Sequence, residues 1–274
     1  MKLTVLGSGT SHGIPVIGCS CPVCCSEDPR DNRMRASVYI QGDAGERVVI
    51  DTGPEFRIQA LRAGITALDA VFLTHGHADH VHGLDDVRSL SYEHKIPIYG
   101  NVETITEIES RFSYVFKYTQ CGGGKPRISL NAVNDPVQIG GLTMTPVPVK
   151  HGVLDILGWK ISWGEESGDQ RPFAVYLTDT SFIPPKTLEL IRKPEFLIVG
   201  GLRERPHETH FSFEQALNAG TEIRAPRVYL THICHSRSHR EIGAYCNRFR
   251  KERGLEELVM EPAYDGMELT FPGA

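Results

Sequence analysis

The chain has 274 residues, enough for one large hydrophobic core or two small ones. With 40% hydrophobic and 23% charged residues it has the composition of a folded globular protein, and its net charge of -5 argues against a protein built mainly to hold nucleic acid by its phosphates. No apolar run is long enough to span a bilayer, and the N-terminus lacks the apolar core and cleavage site of a signal peptide. A cytoplasmic, reducing setting is therefore expected, in which the seven cysteines read as metal ligands before disulfides.

Met1 to Leu6 reads as a short alternating strand running into Gly7-Ser8-Gly9. Val38 to Ile40 and Val48 to Ile50 form hairpin strands around a turn at Gly42 to Gly45. Phe56 to Ala63 is helical and closed by Gly64, Ala70 to Leu73 is a buried strand, and Thr104 to Phe112 is a helix. The stretch from Gln120 to Pro126 is a glycine-rich loop. Leu142 to Val149, Ile156 to Trp163, Phe173 to Thr178, Phe196 to Val199 and Val228 to Thr231 follow as strands. Helices begin at Phe213, with Ser212 as N-cap, and near Ser238. Strands in both halves with helices between them predict an α/β fold: two mixed sheets packed face to face with helices on the outer faces. No linker splits the chain, so residues 1–274 are expected to form a single domain.

The strongest chemical signal is Thr74-His75-Gly76-His77-Ala78-Asp79-His80, at the end of the buried strand. His75 and His77 alternate and can face one ion, while Asp79 and His80 can serve a second; imidazole with carboxylate suits zinc, manganese or iron. A solvated loop with chance histidines is the bland alternative, but groups at this density go unsatisfied without an ion. His151, Asp179 and His232 each also follow a strand, where a sheet supports functional side chains rigidly. Any one of them alone reads as an ordinary polar residue, and only the shared context raises them together.

Cys19-Ser-Cys21-Pro-Val-Cys24-Cys25 places four thiols in seven residues. Cys19, Cys21 and Cys24 with one imidazole would complete a closed tetrahedral zinc site. His235, in Thr231-His232-Ile233-Cys234-His235, is the expected fourth ligand, with Cys25 and Cys234 as rivals. One loop would then feed two metal sites from its two sides.

The order His-x-His-x-Asp-His, then His, Asp and His, resembles the metallo-β-lactamase superfamily over nearly the whole chain. The resemblance implies the αββα sandwich of that superfamily, with two divalent ions, manganese or zinc. It assigns one ion to His75, His77 and His151, and the other to Asp79, His80 and His232, with Asp179 bridging. Aspartate at the bridging position is what phosphodiesterases of the superfamily carry, where the lactamase branch has cysteine. Asp51, in Val49-Ile50-Asp51-Thr52-Gly53, resembles the aspartate that orients the histidine loop, or else caps a turn. The cysteine cluster after Gly13-Ile14-Pro15, with Thr-His-x-x-His late in the chain, is similar to the phosphoribosyl cyclic phosphate phosphodiesterases of the carbon–phosphorus lyase pathway. That likeness implies a separate structural zinc, and gives His210, in Thr209-His210-Phe211-Ser212, the role of supporting the transition state or protonating the leaving oxygen. Its plain alternative is a helix-entry residue without chemistry.

The expected activity is two-metal phosphodiester hydrolysis of a small cyclic, sugar- or nucleotide-based substrate, with Asp79, Asp179 and His210 at the reacting centre. Arg203, Arg205 and His207 either meet a second phosphate or form a solvated charged loop. Three other readings compete. A ribonuclease Z-like nuclease would need a long arm between His151 and Asp179, for which the interval has no room. A non-hydrolytic metalloprotein of cofactor biosynthesis is disfavoured by the intact seven-ligand set. A cyclic nucleotide phosphodiesterase differs only in substrate-contacting loops. The expected partner is a small-molecule phosphate diester, with neither nucleic acid nor membrane, and relatives imply a homodimer.

Overall fold

The computed structural model describes residues 1–117, 124–164 and 171–271. The first half runs β1 (Lys2–Gly7), β2 (Ser37–Gln41), β3 (Arg47–Ile50), α1 (Phe56–Arg62), β4 (Ala70–Phe72), α2 (Ala78–Val81), β5 (Ile96–Gly100), α3 (Val102–Arg111), α4 (Ser113–Phe116) and β6 (Ile128–Ala132). The second runs β7 (Val137–Ile139), β8 (Leu142–His151), β9 (Leu154–Ser162), β10 (Phe173–Leu177), α5 (Pro185–Leu190), β11 (Phe196–Gly200), α6 (Phe213–Glu222), β12 (Arg227–Thr231), α7 (His239–Arg253) and β13 (Val259–Pro262). A last strand, β14 (Glu268–Thr270), returns to the first half and pairs with β1.

Two seven-stranded sheets result, ordered β14-β1-β2-β3-β4-β5-β6 and β13-β12-β11-β10-β9-β8-β7. They share one grammar. Neighbouring strands pair antiparallel from β14 to β3 and from β7 to β10. The strands joined by helical crossovers, β3 to β6 and β10 to β13, pair parallel. Both sheets are therefore mixed, as the alternation of strand and helix patterns predicts.

The period-two geometry of each strand divides its side chains between two environments. In β10, Ala174 and Tyr176 face the core between the sheets, while Phe173, Val175 and Leu177 face the helices. In β3, Val48 and Ile50 enter the shared core and Val49 packs under α1 and its neighbours. Burial on both faces explains why these strands read as continuous apolar runs. The same holds for β1, expected to alternate: every residue after Lys2 is buried. Trp159 is fully buried in the shared core and donates its indole N–H to the carbonyl of Leu73, 3.3 Å away, at the threshold of the histidine loop.

Helix ends follow local chemistry. Ser212 and Gln215 close a capping box on α6, and Ser238 and Glu241 close another on α7, which stops at Gly254 in the left-handed conformation. Strands β5 to β7, β13 and β14 are short or lie at sheet edges, and their sequences carry no pattern that stands out. Of the expected glycine loop, residues Gln120 to Gly123 lie outside the described residues.

Candidate metal centre

The site is built where strands end. Asp51 follows β3, His75 follows β4, His151 closes β8, and Asp179 and His232 follow β10 and β12. Three of these, Asp51, Asp179 and His232, hold φ of 64°, 50° and 54°. Positive φ is uncommon for residues with a Cβ, and such strain persists only where the surroundings over-determine it. Here the left-handed residue ends the strand at the position that carries the polar side chain. The loops also meet at backbone contact: a Cβ on Gly53 would lie 2.3 Å from the carbonyl oxygen of Asp79.

One hydrogen-bond chain sets the imidazole tautomers. Asp51, fully buried, accepts from the N–H of Thr74 at 2.8 Å, from the Thr74 hydroxyl at 2.8 Å and from His80 Nδ1 at 2.7 Å. The Thr74 hydroxyl has only one proton, so toward His75 Nδ1, 3.0 Å away, it accepts. His151 Nδ1 donates to the carbonyl of Thr209 at 2.7 Å. In His75, His80 and His151 the proton thus sits on Nδ1, and Nε2 keeps a lone pair for an ion. The dual alternative for Asp51 is decided by these bonds: it orients the histidine loop.

The seven expected ligands fall into the two expected groups. His75, His77 and His151 offer donor atoms within 4.8 Å of one another, as do Asp79, His80, Asp179 and His232. Asp179 also groups with His151 and His210, which puts it between the two sets. His75 Nε2 lies 3.0 Å from His77 Nδ1, and His80 Nε2 lies 3.1 Å from both Asp79 Oδ2 and Asp179 Oδ2. His232 Nε2 is 3.2 Å from Asp179 Oδ1. Donors around one ion at ~2.1 Å stand roughly 3.0–3.4 Å apart, so these spacings fit coordination edges. Hydrogen bonding does not account for the second group: among the described residues His80 Nε2 and both ring nitrogens of His232 are buried without a hydrogen-bond partner. Orphaned buried nitrogens facing carboxylates are what a metal would satisfy.

Electrostatics agree. Burial lowers the pKa of His75 well below its ordinary value, with His80 adding to the effect, so its ring is neutral. Burial also opposes charge on His80, but Asp179, Asp51 and Asp79 outweigh it and raise its pKa, so an ion at Nε2 would take the place of the proton those carboxylates otherwise favour there. Burial works against ionised Asp179, yet His232 and His80 hold its carboxyl well below the usual range. The pocket thus keeps the Asp179 and Asp79 carboxylates charged, as cation binding needs.

His210 enters from the loop between β11 and α6. Its Nδ1 is 3.5 Å from Asp179 Oδ1, and its ring lies against His232 and His151, with centroids at 4.9 and 4.7 Å. Burial pushes its pKa down to about 3. It therefore borders both ligand groups rather than merely opening a helix. His207 sits beside it, 5.2 Å ring to ring, and Arg203 lines the same cavity. Arg205 is exposed and does not line it.

The cysteine cluster forms on the other side of the His232 loop. Cys19, Cys21 and Cys24 Sγ lie 3.4, 3.5 and 3.3 Å from His235 Nδ1. A zinc tetrahedron with Zn–S ~2.3 Å and Zn–N ~2.0 Å has S···N edges of roughly 3.5 Å, which these distances match. Hydrogen bonding, led by the Cys24 N–H, lowers the Cys21 thiol to about 6, and burial raises Cys24 to about 11. Cys25 is exposed, and Cys234 turns to Ser236 Oγ at 3.3 Å, so neither rival joins the group. The buried Arg33, paired with Asp31 at 3.0 Å, donates to the carbonyls of Cys234 and Arg237 and ties the His235 loop to the N-terminal half.

Sequence reasoning missed the threonines. Leu73-Thr74-His75, Leu177-Thr178-Asp179 and Leu230-Thr231-His232 repeat a Leu-Thr pair before the metal-capable residue at three strand ends. Thr178 donates to Asp179 Oδ2 at 2.7 Å, as Thr74 does to Asp51. Asp265, which accepts from Ser8 N and Oγ and from Met34 N, was equally silent in sequence.

Residues 46–233 match the family described as the beta-lactamase superfamily domain. The chain belongs to the metallo-β-lactamase superfamily, a family of metal-dependent hydrolases. Over 238 residues it is 41% identical to a Porphyromonas gingivalis protein named octanoyltransferase, covering 86% of this chain and 46% of that one. The chain spans about half the length of the curated relatives it matches first. Among solved structures, a diphosphatase from the PhnP family superposes with a TM-score of 0.85 at 38% identity, covering 99% of this chain and 98% of that one. Zinc-bound PqqB from Methylobacterium extorquens superposes at 0.79 with 18% identity, over 99% and 100% of the two chains, a likeness of fold alone. No helix among the described residues is long and apolar enough to cross a membrane.

Proposed function

We propose that this chain is a metal-dependent phosphoesterase that hydrolyses a small phosphate diester or diphosphate. The observation that carries the reading is the convergence of His75, His77, His151, Asp79, His80 and His232 on two sides of Asp179, with His210 bordering both sets. The likeness to a PhnP-family diphosphatase over nearly both chains supports it. Octanoyl transfer, named for the Porphyromonas protein, belongs to a chain of which the aligned segment is less than half, and is not part of this reading.

Two divalent ions held by these ligands would supply Lewis acidity and bring the pKa of water near ~7. The protein's own part is positional. Asp51 fixes His75 and His80, Thr209 fixes His151 and Thr178 fixes Asp179, so the donor set is organised before substrate arrives. His210, neutral in the free protein, lies where a substrate oxygen would meet it. An anionic phosphate against the ring offsets the burial that lowers its pKa, so the protonated ring can hand its proton to the leaving oxygen. Between His151 and Asp179 the described residues form mainly β9 and β10, which favours a small substrate over transfer RNA.

The test is hydrolysis by manganese- or zinc-loaded protein of an aryl phosphate diester, cyclic phosphodiesters of ribose and of nucleosides, and a nucleoside diphosphate. Asp179→Ala serves as the blank. Turnover abolished in the variant supports the reading. No turnover on any of them, with both ions bound, overturns it in favour of a non-hydrolytic metalloprotein.

A further inference from the structure

The cysteine cluster carries more thiols than one tetrahedral ion can use. Cys19, Cys21 and Cys24 group with His235, while Cys25 and Cys234 adjoin ligands in sequence without joining the group. The three ligand sulfurs are not equivalent. Cys21 Sγ accepts the Cys24 N–H at 3.4 Å, and Cys24 Sγ accepts the Val16 N–H at 3.3 Å. Cys19 Sγ lies 3.4 Å from His235 Nδ1 but receives no backbone N–H among the described residues. A donated N–H stabilises the charge on a thiolate and so lowers its nucleophilicity. Cys19 is therefore the strongest nucleophile of the three. The chain around it is also open: Ile17, Gly18 and Ser20 are exposed, and a Cβ on Gly18 would meet no atom within 4 Å.

We propose that Cys19 is an oxidation site: a hydroperoxide oxidises its zinc-held sulfur, and the disulfide that follows takes the cluster apart. The thiolate is the form that attacks a peroxide, and zinc ligation maintains it at neutral pH, where an unligated thiol is mostly protonated. The Cys19 sulfur attacks one peroxide oxygen, the O–O bond breaks, and the departing oxygen takes up a proton; hydrogen peroxide thus leaves a sulfenic acid and water. The Cys24 thiolate, its Sγ within 4.8 Å, then attacks the Cys19 sulfur. The S–O bond breaks and the departing hydroxide takes up a second proton. Two thiolates, one hydrogen peroxide and two protons become one disulfide and two waters, the peroxide being reduced by two electrons.

Only Cys21 and His235 of the four donors then remain, too few for a closed tetrahedral site. The His232 loop keeps its other supports: Arg33 still donates to the carbonyls of Cys234 and Arg237, and the Ile233 N–H to the carbonyl of Ser8 at 2.9 Å. The catalytic ligands accordingly stay in place. Cys21, Pro22 and His235, which line the cavity of about 710 Å³ that His210 also lines, lose their common anchor.

The experiment treats the metal-loaded protein with hydrogen peroxide up to one equivalent, quenches with iodoacetamide, maps the cysteines by peptide mass spectrometry and reads released zinc with a colorimetric chelator. A Cys19–Cys24 disulfide is expected, with loss of one zinc per disulfide, rebinding after dithiothreitol, and no loss of metal from the histidine–aspartate centre. Cys25→Ser and Cys234→Ser should leave the rate of zinc release unchanged. Cys19→His, which keeps a ligand but no thiolate, should hold its zinc through the dose that empties the unaltered protein. First oxidation at Cys25, at Cys234 or at a cysteine outside the cluster overturns the inference. So does a disulfide that omits Cys19, zinc retained after one equivalent of peroxide is consumed, or a cluster that binds no zinc at all. None of these readouts requires turnover, so they stand apart from the hydrolytic reading of the metal centre.

Discussion

Replacing Asp51 with Asn alters the metal centre without placing a new atom in it. Asn tolerates the left-handed φ of 64°, so the backbone turn after β3 stays unstrained. The difficulty lies in the acceptor count. Asp51 meets three donors with two oxygens: Thr74 N–H on Oδ1, and the Thr74 hydroxyl and His80 Nδ1–H on Oδ2. If the amide oxygen takes the Oδ2 place, the amide NH2 faces the Thr74 N–H across 2.8 Å, and one buried donor is left unsatisfied at about 1–3 kcal/mol. If the amide flips, its NH2 faces His80, which must move its proton to Nε2 and point it at Asp79 and Asp179, 3.1 Å away. The lone pair meant for an ion is then gone. Loss of such an orienting partner weakens metal affinity roughly 10- to 100-fold. Competition against a fluorescent chelator should show one catalytic equivalent weakened by that factor in Asp51→Asn. Zinc at the cysteine cluster, on the far side of the His232 loop, should keep its affinity and so report an intact fold. Unchanged affinity at both catalytic equivalents would refute the claim that Asp51 sets the His80 tautomer.

Two further outcomes follow from the same hydrogen bonds and spacings. Cys21→Ser should lower bound zinc by one equivalent, as read by elemental analysis, and lower the melting temperature by several degrees; an unchanged metal count would remove the cysteine cluster as a zinc site. Burial raises Asp265 to about 6 from the ordinary carboxylate range, so its favourable contribution is full below pH ~4 and is lost as pH rises through 6. Asp265→Ala should therefore destabilise less at pH 7 than at pH 4, by roughly 1–3 kcal/mol in urea unfolding, and an equal cost at both pH values would contradict it.

Much of this centre is legible in one dimension because its parts are local. The histidine loop brings four donors into six residues, the cysteine loop brings three thiols into six, and both follow from spacing alone. The long central strands are legible too, since burial on both faces leaves an unbroken apolar run between turn residues. His151, Asp179 and His232 are weaker in sequence: each is a single polar residue after a strand, and what unites them is that parallel strands end at one edge of the sandwich. The edge strands β7, β13 and β14 are three or four residues long and have no pattern to distinguish them from loops.

By itself the sequence determined the long central strands and the capped helices, which side chains could hold metal, and that the cysteines would sit together. Only the tertiary structure decided which partners those side chains find across the chain. Asp51 reaches His80, Thr209 reaches His151 and His235 meets the thiols through contacts 29 to 216 residues apart. Glu204 and Glu241, both near Arg203 in the fold, are each taken by Arg237, at 2.9 and 3.4 Å, and among the described residues Arg203 forms no ion pair. Hydrogen-bond satisfaction and charge pairing depend on the distance between atoms brought together by folding, and no local pattern encodes that distance.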